Sequence, residues 1–296
     1  MNFEFLNSFP IRVAEKKEII GKYKKIFKNY RAVFTNVMFQ RYPIIGILLS
    51  GEVVKIESYA ELTMMTLGIK FVDYDVSHDA TEFEVNGKRY RMIGLQYGGD
   101  LSTFVNPYSL DVYDKVVIDI GANIGDTALS FVNKGARTVI AIEAYPFTFE
   151  LLKANIEMNG LQGKVIPFNA VVSDKLGFIR LNCSERKTTG RNVQESNTGK
   201  DVTSITVRQI IESFGLSEGV LKMDCEGCEY KSLLSTEQEY LETFDQFGIE
   251  YHYGAELLEK LFTSIGYSVR ADKPRSRYNT ESRTVMQCGM IYAKRV

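Results

Sequence analysis

Between residues 111 and 255, short apolar runs alternate with stretches of helical periodicity. This alternation constrains the fold more than any other feature of the chain. The runs are "VVIDI", "TVIAIE", "KVIPFNAVV", "VLKMD" and "FGIEY". Near-continuous apolar strands suit a sheet covered on both faces, and strands separated by helical segments suit parallel pairing through crossovers. Further on, "SIGYSVRAD" and "QCGMIYAKRV" read as two more strands, joined by the polar connection "KPRSRYNTESR". A terminal hairpin of this kind adds an antiparallel element to a parallel sheet. The expectation is an α/β domain over 111–296, with a mostly parallel seven-stranded sheet and an antiparallel C-terminal hairpin.

Residues 1–110 fall outside this pattern and read as an α+β accessory region, expected to cover a substrate. Ile19, Tyr23, Ile26, Phe27, Tyr30, Phe34 and Val37 recur at helical spacing over 14–38, with lysines largely between them. In "FEVNGKRYRMI" the pair Asn86-Gly87 signals a hairpin. The polar stretch 184–203 reads as a long surface loop. A net charge of −1 sets up no global field toward nucleic acid or membrane, and four scattered cysteines make no disulfide framework. Pro43–Leu49 is the longest apolar stretch, far below a membrane span, and the first residues lack a signal core. The expected setting is cytoplasmic.

The strand "VVIDI" runs into Gly121-Ala122-Asn123-Ile124-Gly125-Asp126 and then a helix. A strand, a glycine turn and a helix N-terminus make a nucleotide-type site. A dinucleotide fingerprint needs glycine at the first, third and sixth turn positions, and here these hold Gly121, Asn123 and Asp126. No Gly-Lys-Ser/Thr follows, so the turn is not a P-loop either. The next strand ends in Glu143, whose two acceptor oxygens suit a ribose diol. Asp119 and Asp126 would repel a pyrophosphate and tolerate a sulfonium and an ammonium. The charges favour S-adenosylmethionine over NAD.

Asp119-Ile-Gly121-Ala122-Asn123-Ile-Gly125, Glu143 and the segment "LKMDCEGCE" at 221–229 together resemble the FkbM-type methyltransferases. Lys222, Asp224, Glu226, Gly227 and Glu229 occupy the second of that family's two motifs. The likeness covers about residues 100–255. It implies a Rossmann-like methyltransferase fold, S-adenosylmethionine as methyl donor and S-adenosylhomocysteine as product. It also implies that Asn169 and Ala170, ending the third strand, lie at the adenine edge. Two departures stand out. Glu143 is followed by Ala144-Tyr145-Pro146 where the family commonly has proline directly, and Cys225 and Cys228 replace residues usually apolar or small.

The candidate cosubstrate contacts are therefore Asp119, Gly121, Asn123, Gly125, Glu143, Ala144, Asn169, Ala170 and Asp224. Each has a plainer reading: a tight turn, a helix cap or a strand end. Asp224, Glu226 and His252 are the candidate catalytic groups. Carboxylates at a strand end face ligands in open α/β sheets, and histidine titrates near neutrality. The plainer readings are acidic stabilisation of a helix N-terminus, with Glu226 and Glu229 on one face, and a surface histidine. Cys225 and Cys228 form a C-x-x-C without further ligands at zinc-module spacing, so a reduced pair is expected and no metal set is assigned. A need for a divalent ion is left open.

Methyl transfer from a sulfonium to a hydroxyl is an in-line displacement that a base or a metal-bound carboxylate cluster assists. The expected function is O-methylation of a sugar or other small metabolite. Amino-group methylation is disfavoured, because the place of N/D-P-P-Y/F is held by Asp224-Cys225-Glu226-Gly227. The alternatives are an RNA methyltransferase docking through the lysine-rich helix, a non-catalytic S-adenosylmethionine-binding module, and an NAD-dependent reductase that the missing glycines oppose.

Overall fold

A computed structural model describes residues 13–96, 99–106, 108–182, 199–279 and 284–296. By contact density the chain divides into two units. One takes residues up to Asp73 together with Phe83–Arg89, the other Tyr74–Glu82 and Tyr90–Val296.

In the first unit the expected helix is broken in two, α1 (Val13–Lys24) and α2 (Tyr30–Met38). The break has a local cause. Phe27 leaves the helix to bridge Leu48, and the Asn29 side chain bonds Ile45 O and Ile47 N, both at 2.8 Å. These partners belong to or border the antiparallel pair β1 (Ile44–Ile47) and β2 (Val53–Ile56). Tyr23, Phe27, Val33, Val37, Ile44 and Ile56 are buried together with Leu62 of α3 (Tyr59–Leu67). Next come β3 (Lys70–Asp75), β4 (Ala80–Val85) and β5 (Lys88–Ile93), a three-stranded sheet in that order. The boundaries between the units fall inside these strands. Asn86 (φ 51°) and Gly87 (φ 78°) form the expected tight turn between β4 and β5.

The second unit carries the main sheet. After α4 (Ser102–Val105) come β6 (Val116–Ile120), α5 (Asp126–Asn133), β7 (Thr138–Glu143), α6 (Pro146–Met158) and β8 (Val165–Asn169). A small sheet follows, from β9 (Val171–Val172), β10 (Gly177–Leu181) and β11 (Lys200–Ile205), and then α7 (Val207–Phe214). The chain continues through β12 (Gly219–Met223), α8 (Glu229–Leu234), α9 (Gln238–Leu241), β13 (Phe244–Tyr251), α10 (Glu256–Ser264), β14 (Tyr267–Ala271), β15 (Arg275–Asn279) and β16 (Thr284–Arg295). The strand order is β14-β16-β13-β12-β6-β7-β8. β6, β7, β8, β12 and β13 are parallel, and β16 is antiparallel to both β13 and β14. This is the expected mixed α/β sheet of the Rossmann-like kind.

The apolar runs explain the layers. Along β6, Ile118 and Ile120 pack on one face with Leu221, Phe247 and α10 residues such as Phe262. Val117 points to the other face, against Ala128, Phe131 and Leu152. Such alternation on a sheet buried on both sides gives two cores.

Three readings of the sequence change. "KVIPFNAVV" is not one strand: Asn169 ends β8, and Val171–Val172 pair with β11 in the smaller sheet. The polar C-terminal connection contains β15, because β16 is long enough to pair β13 and β14 with its second half and β15 with its first. Of the 184–203 stretch, residues up to 198 lie outside the described residues, and Lys200 onward forms β11 against β10. By contact density the main run of the sheet unit begins at Tyr90, within the expected accessory region of 1–110. Leu101, Phe104 and Leu110 are buried there.

Candidate active site

The two motifs meet at the C-terminal ends of adjacent strands, because β6 and β12 are register neighbours with Lys222 opposite Asp119. Gly121 has φ +74°, and a Cβ there would stand 1.8 Å from the Asp224 carbonyl oxygen. Glycine is required both by the left-handed backbone and by this backbone-to-backbone approach. Gly125 (φ +93°) is packed instead, since its Cβ would meet Leu152 Cδ1 at 2.7 Å.

Beneath the turn lies a buried ion pair, Lys222 Nζ to Asp119 Oδ1 at 2.9 Å. Thr127 Oγ1 donates to Asp119 at 2.5 Å, and Lys222 Nζ donates to Gly121 O at 2.8 Å. Burial pulls the Lys222 ammonium down, but Asp119 and Asp224 outweigh it and hold the group above its ordinary value. Asp119 is fully buried and does not line the cavity that opens above it.

That cavity, about 520 Å³, is bounded at one end by Gly121, Asn123, Glu143, Ala144, Ala170 and Val172. Glu143 is held by the backbone: Asn123 N donates to Oε2 at 3.0 Å and Tyr145 N to Oε1 at 2.9 Å. Burial raises its carboxyl to about 7 despite those two bonds. Asn123 Nδ2 donates to Asp100 Oδ1 at 3.3 Å, so the loop before α4 braces the turn. Burial also raises the carboxyls of Asp100 and Asp126, and for Asp126 the Asp100 charge adds to the effect.

The opposite end is acidic. Asp224, Glu226 and Glu250 line it together with Tyr108 and Arg277. Tyr108 donates its hydroxyl to Asp224 Oδ2 at 3.3 Å, and Arg277 Nη1 stands 3.6 Å from Glu226 Oε1. Burial and then the Asp224 charge raise the Glu250 carboxyl to about 8. Behind this wall His252 is fully buried, with Nδ1 3.0 Å from Glu229 Oε1, which also accepts from Cys225 N at 3.2 Å. Its Nε2 lies 3.3 Å from Glu226 Oε2 and 3.9 Å from Asp224 Oδ1. Burial lowers the imidazolium pKa, but contacts with Glu226 and Glu229 more than offset this and raise it to about 12.

Of the residues singled out from the sequence, Gly121, Asn123, Glu143, Ala144, Ala170, Asp224 and Glu226 line this one cavity. Asp119 and Gly125 support it from beneath. The Asn169 amide is committed to Glu143 O (2.8 Å) and Ala144 O (3.1 Å), so it closes a strand end. His252 reaches the cavity only through Glu226 and Asp224. Glu226 and Glu229 do not share a helix face: Glu226 precedes α8 with φ +56°, whereas Glu229 is its first residue. Cys225 and Cys228 are disulfide-bonded rather than reduced, since the turn at Glu226-Gly227 brings their Cα atoms to 5.5 Å. Asp100, Tyr108 and Arg277 were not singled out, as they sit in segments of unremarkable composition. No helix among the described residues is long and apolar enough to cross a membrane.

The Methyltransferase FkbM domain model matches residues 119–269, a little over half of the chain. The tRNA (guanine(37)-N(1))-methyltransferase Trm5b of Methanocaldococcus jannaschii is 37% identical over 70 residues, which are 24% of this chain and 19% of that protein. The chain thus spans about a fifth of that curated relative's length. Among solved structures, an FkbM methyltransferase from Methylobacillus flagellatus KT is similar at 16% identity and a TM-score of 0.44, over 65% of this chain and 47% of that one. A tRNA methyltransferase from M. jannaschii is similar at 14% identity and a TM-score of 0.40, over 90% of this chain and 68% of that one. The family match and the sheet order carry the assignment.

Proposed function

Since the chain belongs to the FkbM methyltransferase family, we propose that it transfers the methyl group of S-adenosylmethionine to a hydroxyl of a sugar or other small metabolite. The observation that carries this reading is the division of one cavity between a carboxylate held by two backbone N–H groups and an acidic end. When bound, S-adenosylmethionine supplies a methyl group on a positively charged sulfur. Glu143, fixed by two backbone N–H groups, keeps lone pairs for a ribose diol. Ala144, Ala170, Val171 and Val172 offer small apolar walls beside it for a flat base. Asp100 and Asp126, with carboxyls that burial raises, line the cavity near the turn. A cavity of about 520 Å³ has room for a nucleoside and a small acceptor.

At the acidic end, Asp224 and Glu226 face the acceptor hydroxyl. As the new O–C bond forms and the C–S bond breaks, the hydroxyl proton passes to a carboxylate there. His252 is fully buried and faces this end through Glu226 and Asp224.

Calorimetric titration with S-adenosylmethionine, S-adenosylhomocysteine and NAD tests the cosubstrate. Binding of the sulfur compounds that Glu143→Ala abolishes is expected, and binding of NAD alone would overturn the reading. Release of S-adenosylhomocysteine with a panel of sugars, lost in Asp224→Asn while cosubstrate binding persists, tests the acceptor class. A second reading, RNA methylation, is favoured by the 70-residue match to a tRNA methyltransferase and by exposed Lys24, Lys25 and Lys28 in the first unit. A salt-sensitive affinity for RNA would support it.

A further inference from the structure

We infer that Asp224, Glu226 and His252 form a binding site for one divalent transition-metal cation at the acidic end of the cavity. Four features of the side chains lead there. The first is the placement of donor atoms: one from each residue, all within 4.8 Å of one another. Ligands about 2.1 Å from a common ion lie about 3 Å apart when adjacent and about 4.2 Å apart when opposite. The separations from His252 Nε2, 3.3 Å to Glu226 and 3.9 Å to Asp224, fall in that span.

The second is that His252 Nε2 and Glu226 Oε2 are both buried and neither has a hydrogen-bond partner, although they are only 3.3 Å apart. Their approach lies off the direction a hydrogen bond requires. A metal ion held between the two would satisfy both.

The third is the back of the imidazole. Glu229 is a fully buried carboxylate, an acceptor only, so Nδ1 carries the proton in their 3.0 Å bond. Nε2 faces Glu226 and Asp224, and a cation bound between them would displace its proton. A histidine that ligates a metal is held by this same arrangement, its second nitrogen donating to a carboxylate. The fourth is rigidity. Glu226 lies inside the Cys225–Cys228 ring, and Cys225 N is itself tied to Glu229 Oε1. Glu226 therefore sits within a closed loop, Asp224 directly before it, and His252 directly after β13.

One imidazole and two carboxylates are a donor set for Mn²⁺, Fe²⁺ or Zn²⁺ rather than for Mg²⁺ or Ca²⁺, which favour all-oxygen sites. Three protein ligands leave coordination positions open toward the cavity, where Asp224 and Glu226 are lined up with Tyr108 and Glu250. An oxygen of the acceptor would occupy one of them. That role rests on the hydroxyl-acceptor reading; the binding of the ion does not.

The test uses the full chain, stripped with a chelator, dialysed, and titrated with Mn²⁺ under electron paramagnetic resonance, without cosubstrate or acceptor. Saturable binding of a single ion is expected, with a nitrogen coupling from the imidazole in the pulsed spectrum. Glu226→Gln and Glu229→Gln should each weaken binding by about tenfold or more. His252→Gln should remove the nitrogen coupling, with its thermal melt recorded to confirm folding. No saturable binding, or binding that none of the three substitutions changes, overturns the site. Mn²⁺ binding as expected, with no methylation of any hydroxyl acceptor, upholds the site and overturns the function proposed above. Hydroxyl methylation that survives chelation, with no Mn²⁺ bound, does the reverse.

Discussion

At one end of the cavity, both oxygens of Glu143 accept backbone N–H groups, from Asn123 and Tyr145. At the other, Glu226 Oε2, Glu229 Oε2 and His252 Nε2 have no hydrogen-bond partner. At the first end the carboxylate is held by backbone, which no side-chain substitution removes, although Asn123 Oδ1 is buried there without a partner. The second gathers carboxylates around His252 and leaves several of its buried polar atoms without a hydrogen bond. A buried polar atom without a partner costs about 1–3 kcal/mol. On the function proposed above, the first end would bind the cosubstrate and the second the acceptor.

The largest effect belongs to the seam where both ends are anchored. Gly121→Ala places a Cβ 1.8 Å from the Asp224 carbonyl, which is backbone and cannot turn aside. The expected loss exceeds about 4 kcal/mol and shows in denaturant unfolding or as failure to fold. Gly125→Ala meets only the tip of Leu152 at 2.7 Å and should cost about 1–3 kcal/mol, mostly backbone strain. Equal costs at the two glycines would break the claim that the motifs lock together through Gly121. Close behind comes Lys222→Met, which strands the buried Asp119 carboxylate and should cost about 3–5 kcal/mol. Adding Asp119→Leu should recover much of that loss. If the double variant is no better than the single, the pair is not what holds the seam.

The sheet was legible because burial on both faces writes itself as unbroken apolar runs, and the turn was legible because only glycine tolerates its backbone. Where the readings diverged, the deciding contact was distant in sequence. Nothing local announces that Asn29 will bond a hairpin more than fifteen residues on, or that β16 will be long enough to recruit β15. The same holds within the site. Asp119 and Glu143 look alike as strand-end acids, yet Lys222 claims one of them from across the sheet and the other is left facing the cavity. His252 was visible as a candidate but its role was not. Only the fold brings Glu229 behind it and Glu226 in front.

A middle-sized effect sharpens the contrast between the ends. Glu143→Gln keeps the shape but weakens the acceptor for a ribose diol. S-adenosylhomocysteine affinity should fall by about 1.5–3 kcal/mol, roughly ten- to a hundredfold, on calorimetry. Asp224→Asn, at the acidic end, should change that affinity far less. Equal losses would mean that the two ends are not separate binding regions.

The smallest effect is a pH dependence, and its sign follows from Glu143. Its folded carboxyl sits at about 7, above the ordinary value of 4.5, because it is buried. The folded chain therefore holds a proton that the unfolded chain releases. The stabilisation this gives is full below about pH 4.5 and is lost as pH rises through 7. Ligand binding runs the other way. A ribose diol donates to the ionised carboxylate, so affinity should climb from pH 6 and level off above about pH 8. At pH 6 only about a tenth of the group is ionised, so affinity there should be about tenfold below the plateau. Proton release on binding near pH 7, read from calorimetry in buffers of different ionisation enthalpy, checks the same linkage. Asp119 and Lys222 flank Glu143 with opposite charges, and the raised carboxyls of Asp100 and Asp126 face the same cavity. Glu143→Gln separates these contributions. A profile that flattens in this variant assigns the proton to Glu143, whereas one that persists moves it to Asp100 or Asp126 and makes the turn, rather than the strand-two carboxylate, the pH-sensitive part of the binding end.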